Sequence, residues 1–328
     1  MTPSEVKQLL KAVYAANQDR KQHHVIFLHG APGMAKSAVV ADTATDLGIG
    51  FMDYRISSKD LTDFTGVPEV VEHETYFAKP GHLPKAGKGI FFMDEFAQGT
   101  QNLQSVSAQI LYDRMCGEYK FPDDWMIVVA SNRGTDRAGT HPTPQQVNNR
   151  CTHINMEMAF EDWKEWAFAN EIDERLIYFL DSRQELLCQP SKDAEAFPTP
   201  RTWEFVSSIM QMNLNQNIKS ETIRGTVGDG PGYELMGFMQ IFETIVPWRD
   251  VLKEPLTTPL PTNSSAKFAL MGVLAKNVKF DTIDNLVLYL NRMPDQDVAN
   301  MCIMTAGRRN KALLETSAYT NWCIARNI

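Results

Sequence analysis

The sequence has little cysteine, no long apolar run and no excess of positive charge, and each shortage removes a class of function. Its five cysteines, Cys116, Cys151, Cys188, Cys302 and Cys323, are scattered without a C-x-x-C pair. That argues against a disulfide framework or a zinc site and fits a reducing compartment. No apolar stretch approaches the roughly 20 residues that a bilayer-spanning helix needs, so no membrane partner is expected. The segment from Thr2 to Arg20 is polar and amphipathic, with no apolar core before a small-residue cleavage site, and no secretory signal is expected there. Forty acidic against 32 basic residues leave a formal charge of -8, so a basic face for nucleic acid is not the default. The seven histidines form no H-x-x-x-H pair and no cluster with cysteine, which argues against metal ligation. Internal repeats and low-complexity tracts are absent too. The expectation that remains is a soluble, cytoplasmic chain of 328 residues, 43% of them hydrophobic, enough for a full core divided into two or three units.

What is present begins at Gly30-Ala31-Pro32-Gly33-Met34-Ala35-Lys36-Ser37. It follows the apolar run His24–Leu28 and leads into Ala38-Val39-Val40-Ala41, an order that predicts strand, tight loop, helix. Loop N–H groups and the positive end of a helix dipole then converge on an anion, which makes residues 30–38 a candidate phosphate cradle. Lys36 would add a point charge at the outer phosphates, and the Ser37 hydroxyl would ligate magnesium. The pattern G-x-x-x-x-G-K-[ST] has glycine where this chain has Ala35, whose methyl group restricts φ and would crowd the phosphates.

A second signal is Gly89-Ile90-Phe91-Phe92-Met93 followed by Asp94 and Glu95, an apolar strand ending in two carboxylates. At the carboxyl end of a strand beside the cradle, Asp94 can hold hydrated magnesium, and Glu95 can orient and polarise an attacking water. Further strands are predicted at Phe51–Ile56, Trp125–Ala130 and His153–Met158. They alternate with helices over Ser37–Leu47, Thr100–Met115 and Thr143–Asn149, after an opening helix over Ser4–Asn17. Apolar strands alternating with helices indicate a parallel sheet covered on both faces. Hairpins are expected at Gly66–Phe77 and Cys116–Trp125. Beyond residue 158 the pattern is helical: Glu161–Asn170, Asp173–Arg183, Pro200–Met212 and Tyr233–Ile245. A linker is expected at Pro255–Ser265, and four helices follow over Ala266–Val278, Thr282–Met293, Asp295–Arg308 and Ala312–Ala325.

With these motifs in this order the chain resembles the MoxR-like branch of the AAA+ ATPases. The resemblance covers about residues 25–205 most specifically. It implies an α/β P-loop NTPase core (1–158) with a parallel sheet, an α-helical lid (159–250) and an α-helical C-terminal extension (251–328). It also implies ATP hydrolysis to ADP with Mg2+. Val128-Val129-Ala130-Ser131-Asn132 is similar to the family's sensor 1, with Asn132 directed at the terminal phosphate or the water. Pro144 to Arg150 is similar to the segment ending in the arginine finger, with Arg133 and Arg137 as rivals for that role. Pro198-Thr199-Pro200-Arg201-Thr202-Trp203-Glu204 is similar to sensor 2, which implies that Arg201 reaches from the lid back to the phosphates of its own subunit. Both hairpins match inserts of the branch, and Tyr76, Phe77 and Tyr119 become candidate contact residues. A finger acting in trans implies a homo-oligomeric ring, a hexamer as in the family, and the branch often works with a von Willebrand factor A domain protein. A nucleic-acid motor or loader, and a weakly hydrolysing nucleotide switch, remain alternatives.

Overall fold

The structure, a computed structural model, describes residues 1–20, 23–117, 119–133, 141–191, 193–244 and 246–328. The chain forms two compact units: Met1–Trp163 with Pro190–Ala194 and Thr199–Arg201, and Lys164–Gln189 with Glu195–Pro198 and Thr202–Ile328.

In chain order the strands of the first unit are β1 (Val25–His29), β2 (Gly50–Arg55), β3 (Val67–Val71), β4 (Glu74–Ala78), β5 (Gly89–Asp94), β6 (Met115–Cys116), β7 (Tyr119–Lys120), β8 (Trp125–Ser131) and β9 (Cys151–Asn155). Five of them form a parallel sheet in the order β2-β5-β8-β1-β9, while β3 with β4 and β6 with β7 make antiparallel pairs. All seven residues of β8 are buried, as are the first five of β5. Unbroken burial of this kind needs cover on both faces of the sheet. From β1 the chain crosses to the far edge at β2, returns through β5 and β8, and then passes to the other side of β1 with β9. The carboxyl ends of β5, β8 and β1 therefore lie side by side where the strand order reverses, the place where open α/β sheets hold ligands.

The core beneath them is aromatic. Phe91 meets Phe121 at 4.8 Å and Tyr54 at 5.1 Å, and Phe27 meets Phe96 edge-on at 5.7 Å. Helices Pro3–Arg20, Lys36–Leu47 and Gln101–Asp113 match expectation to within a few residues. Two elements differ. The last strand starts at Cys151, two residues before the expected His153, because its register pairs Val25 with Cys151. That leaves room for only one helical turn ahead of it, Gln145–Asn148. Of the two hairpins, β3–β4 is exposed along its length, with Tyr76 at 44% and Phe77 at 42%. Tyr119 is not a contact residue: it is 6% exposed, donates its hydroxyl to the Pro84 carbonyl and packs edge-on against Phe121.

The second unit is helical, with a core that includes Val251, Leu270, Leu286, Tyr289, Ile303 and Trp322. Helices at Gln216–Val227 and Trp248–Lys253 have no counterpart among the expected elements. The expected helix over Ala312–Ala325 is divided into a tight turn, Lys311–Glu315, and a helix, Ser317–Arg326, because Thr316 caps the latter by accepting from the Tyr319 N–H at 3.3 Å. The stretch expected to be a linker is packed down. Tyr289 donates to the Pro259 carbonyl at 2.8 Å and Arg292 to the Thr258 carbonyl at 2.9 Å. Among the described residues no helix is long and apolar enough to cross a membrane.

Candidate functional site

The loop between β1 and helix Lys36–Leu47 turns tightly, with positive φ at Gly33 and Ala35. Gly30 is tied to β8 through its N–H, which donates to the Ser131 carbonyl at 3.3 Å. Gly33 has φ +79°, and a Cβ there would stand 2.7 Å from Thr199 Oγ1, so only glycine fits. Ala35 occupies the left-handed region, φ 58° and ψ 24°, immediately before the helix. The sequence pattern's glycine is therefore missing where a positive φ is needed, and alanine takes up that conformation with its strain. Ala31 and Met34 are buried, with the Ala31 N–H donating to Met34 Sδ at 3.1 Å; Pro32 is half-buried and Ala38 exposed.

Lys36 opens the helix and is 7% exposed. Its ammonium donates to Gly30 O at 2.7 Å, to Ala31 O at 3.1 Å and to Asn132 Oδ1 at 3.1 Å. Ser37 donates its hydroxyl to Asp94 Oδ2 at 2.9 Å, and the other Asp94 oxygen accepts the Glu95 N–H at 2.8 Å. Glu95 itself has a positive φ of 55°, and its carboxylate accepts from the Ser57 hydroxyl. Burial raises the Asp53 carboxyl on β2 above its usual range; Arg55 at 3.5 Å opposes this, and the negative charges of Asp94 and Glu95 add to it. A cation is thus suited to this edge of the sheet. Among the described residues no three His, Cys, Asp or Glu side chains group to hold a metal by themselves. Ser37 and Asp94 fit instead the manner of Mg2+, which takes one or two protein oxygens and completes its shell with water and substrate phosphates.

Lys36, Ser37, Asp94, Glu95 and Asn132 are therefore brought to one edge, the first two from the start of the helix after β1 and the others from the ends of β5 and β8. Arg150 is not. It precedes β9 at the opposite, amino end of the sheet, lies 5.1 Å from the Tyr112 ring and donates to the Gln146 carbonyl at 3.3 Å. The five residues of β9, at about 3.3 Å each, separate it from the cradle's level by about 16 Å. Its rival Arg133 turns inward and donates to the Met156 carbonyl at 3.1 Å. Arg137 lies outside the described residues. Arg201 is exposed in the first turn of helix Pro200–Gln211, two residues after the Thr199 that lies against Gly33. Ser57 was missed by sequence reasoning, since a serine after a strand reads as an ordinary turn residue.

No family model matches the chain, and no curated protein matches it. Among solved structures it is similar to a single-site mutant of RuvB from Thermotoga maritima, at 12% identity over 94% of this chain and 85% of that one, with a TM-score of 0.36. It is also similar to NtrX from Brucella abortus in complex with ADP, at 15% identity over 99% of this chain and 68% of that one, with a TM-score of 0.35.

Proposed function

We propose that the protein is an ATPase of the AAA+ type that grips ATP in residues 30–38 and hydrolyses its terminal phosphoanhydride bond to give ADP and phosphate. The observation that carries the reading is the connected set Lys36–Asn132 and Ser37–Asp94–Glu95 at the carboxyl ends of three adjacent strands. Loop N–H groups and Lys36 bind the phosphates. Ser37 and Asp94 hold magnesium, which when bound supplies positive charge at the phosphoryl oxygens. Glu95, steadied by Ser57, orients and polarises the attacking water, while Asn132 donates its amide N–H groups to the terminal phosphate or that water.

Arg150 acts in the site of a neighbouring copy, because in its own subunit it sits at the wrong end of the sheet. That role makes the active form a ring, for which six copies is our reading. Arg201 completes the set as the group that reads the terminal phosphate from the Pro200–Gln211 helix. The MoxR-like assignment, the division of the helical part at residue 250, and a role in remodelling a partner protein, including one with a von Willebrand factor A domain, belong to the same proposal and rest on the sequence resemblance. A switch that turns over slowly is a second reading, favoured by the strained Ala35 in the cradle.

Calorimetry with MgATP, paired with a phosphate-release assay, tests the reading. Wild-type protein should bind and hydrolyse. Lys36→Ala should lose binding, and Glu95→Gln should bind with turnover abolished. Folded protein that takes up no adenine nucleotide, or a Lys36→Ala variant equal to wild type, overturns it. Binding without any turnover that Glu95→Gln removes leaves the switch.

A further inference from the structure

Two histidines outside this set bridge the two ends of the sheet. His29 is the last residue of β1, directly before Gly30, and His153 lies in the middle of β9. His29 Nε2 and His153 Nδ1 are 2.8 Å apart, and the ring planes are nearly parallel, 17° apart. His153 Nε2 in turn lies 3.0 Å from the carbonyl of Asn148, in the turn that leads into Arg150.

The donors follow from the chemistry. A backbone carbonyl only accepts, so His153 Nε2 carries a hydrogen; in the neutral ring Nδ1 is then the acceptor, and His29 Nε2 must donate to it. His29 is kept neutral at ordinary pH: its pKa is pushed down to about 4 by burial first, then by His153, Lys36 and Arg133. One directed chain of hydrogen bonds thus runs from the residue that opens the cradle to the turn that carries Arg150. It crosses the face of the sheet, where β1 and β9 alone would leave the two ends linked only through backbone.

We propose that His29 and His153 are positioning residues that couple occupancy of the cradle to the presentation of Arg150 to the neighbouring copy. The inference rests on the ATPase reading above. An anion bound at Lys36 offsets the positive charge that Lys36 and Arg133 direct at His29, and any shift of the His29 ring is passed through His153 to the Asn148 carbonyl. The turn Gln145–Asn148 presents the Asn148 carbonyl to His153, and the Arg150 N–H donates to the Val147 carbonyl at 3.0 Å, so a displacement of that carbonyl reaches Arg150 through the turn's own hydrogen bonds.

The test uses the full chain with His153→Leu and His153→Gln. Glutamine can accept from His29 and donate to Asn148, as the neutral imidazole does; leucine can do neither. His153→Leu should lower kcat about tenfold and change nucleotide affinity by no more than that factor, within the usual span of coupling between sites, which is reciprocal for binding. Mixing it with Glu95→Gln subunits, which have intact Arg150, should restore turnover, and His153→Gln should stay near wild type. In hydrogen exchange, amides of residues 145–150 should respond to a non-hydrolysable ATP analogue in wild type and not in His153→Leu. An unchanged kcat, equal losses in both variants, or an exchange response that survives in His153→Leu overturns the coupling while leaving the ATPase reading intact. Failure of wild type to take up the analogue sinks the ATPase reading, and the coupling with it.

Discussion

The two ends of the β-sheet differ in how finished they are. At the carboxyl ends, Lys36 and Ser37 from the helix after β1, Asp94 and Glu95 from the end of β5 and Asn132 after β8 are tied to one another or to Ser57 at hydrogen-bond distance. At the amino end, Arg150 rests on the ring of Tyr112, a residue 67% exposed, and on one carbonyl of its own turn. The proposed phosphate site at one end and a lightly held cation at the other would suit head-to-tail association, in which each copy supplies what its neighbour lacks.

The largest effect should come from separating the two ends genetically. Arg150→Ala is expected to reduce kcat by about 10³-fold, the lower end of what a phosphoryl-transfer arginine contributes, with MgATP affinity unchanged. Mixed with Glu95→Gln subunits it should regain activity, since each variant keeps the end that the other has lost. Steady-state rates across a series of mixing ratios measure this. No recovery at any ratio would break the comparison by making Arg150 a residue of its own subunit's site or of none.

The carboxyl end is also strained, and strain there can be tested without nucleotide. Gly33→Ala places a methyl group 2.7 Å from Thr199 Oγ1 at φ +79°. A non-glycine residue in the left-handed region costs about 1–2 kcal/mol before the clash is counted. A loss of about 2 kcal/mol or more in chemical denaturation is expected, together with weakened MgATP binding. A neutral outcome would mean that the loop has room the structure does not give it.

How much of this was legible in the sequence depended on distance along the chain. The cradle is one run of consecutive residues, 30–38, and Asp94-Glu95 and Asn132 each close an unbroken apolar strand, so local pattern sufficed. Ser57 and the His29–His153 pair were not legible, because they are functions of register: His153 meets His29 only through the pairing of β9 with β1, 124 residues apart. Tyr119 was ambiguous since an aromatic in a hairpin can face in or out, and here Pro84 and Phe121 draw it in. In the second unit, helix Gln216–Val227 buries little beyond Ile223 and Val227, too few apolar positions for a helical period to stand out. Thr316 divides a helix by capping, which competes with continuation in a way that periodicity does not reveal.

The smallest expected effect has the opposite sign to that of Gly33. Ala35 has a left-handed backbone in the same loop, at φ 58°, where the pattern has glycine. Ala35→Gly relieves about 1–2 kcal/mol of conformational strain, offset by about 0.4–1 kcal/mol from the greater freedom of glycine in the unfolded chain. The net expectation is a gain of about 0.5 kcal/mol, seen as a small rise in denaturation midpoint. If the methyl also crowds the phosphates, MgATP affinity should rise in the same variant, and calorimetry separates the two contributions. A destabilised Ala35→Gly would place residue 35 inside the helix rather than at its left-handed entry, and the contrast between the two loop positions would vanish.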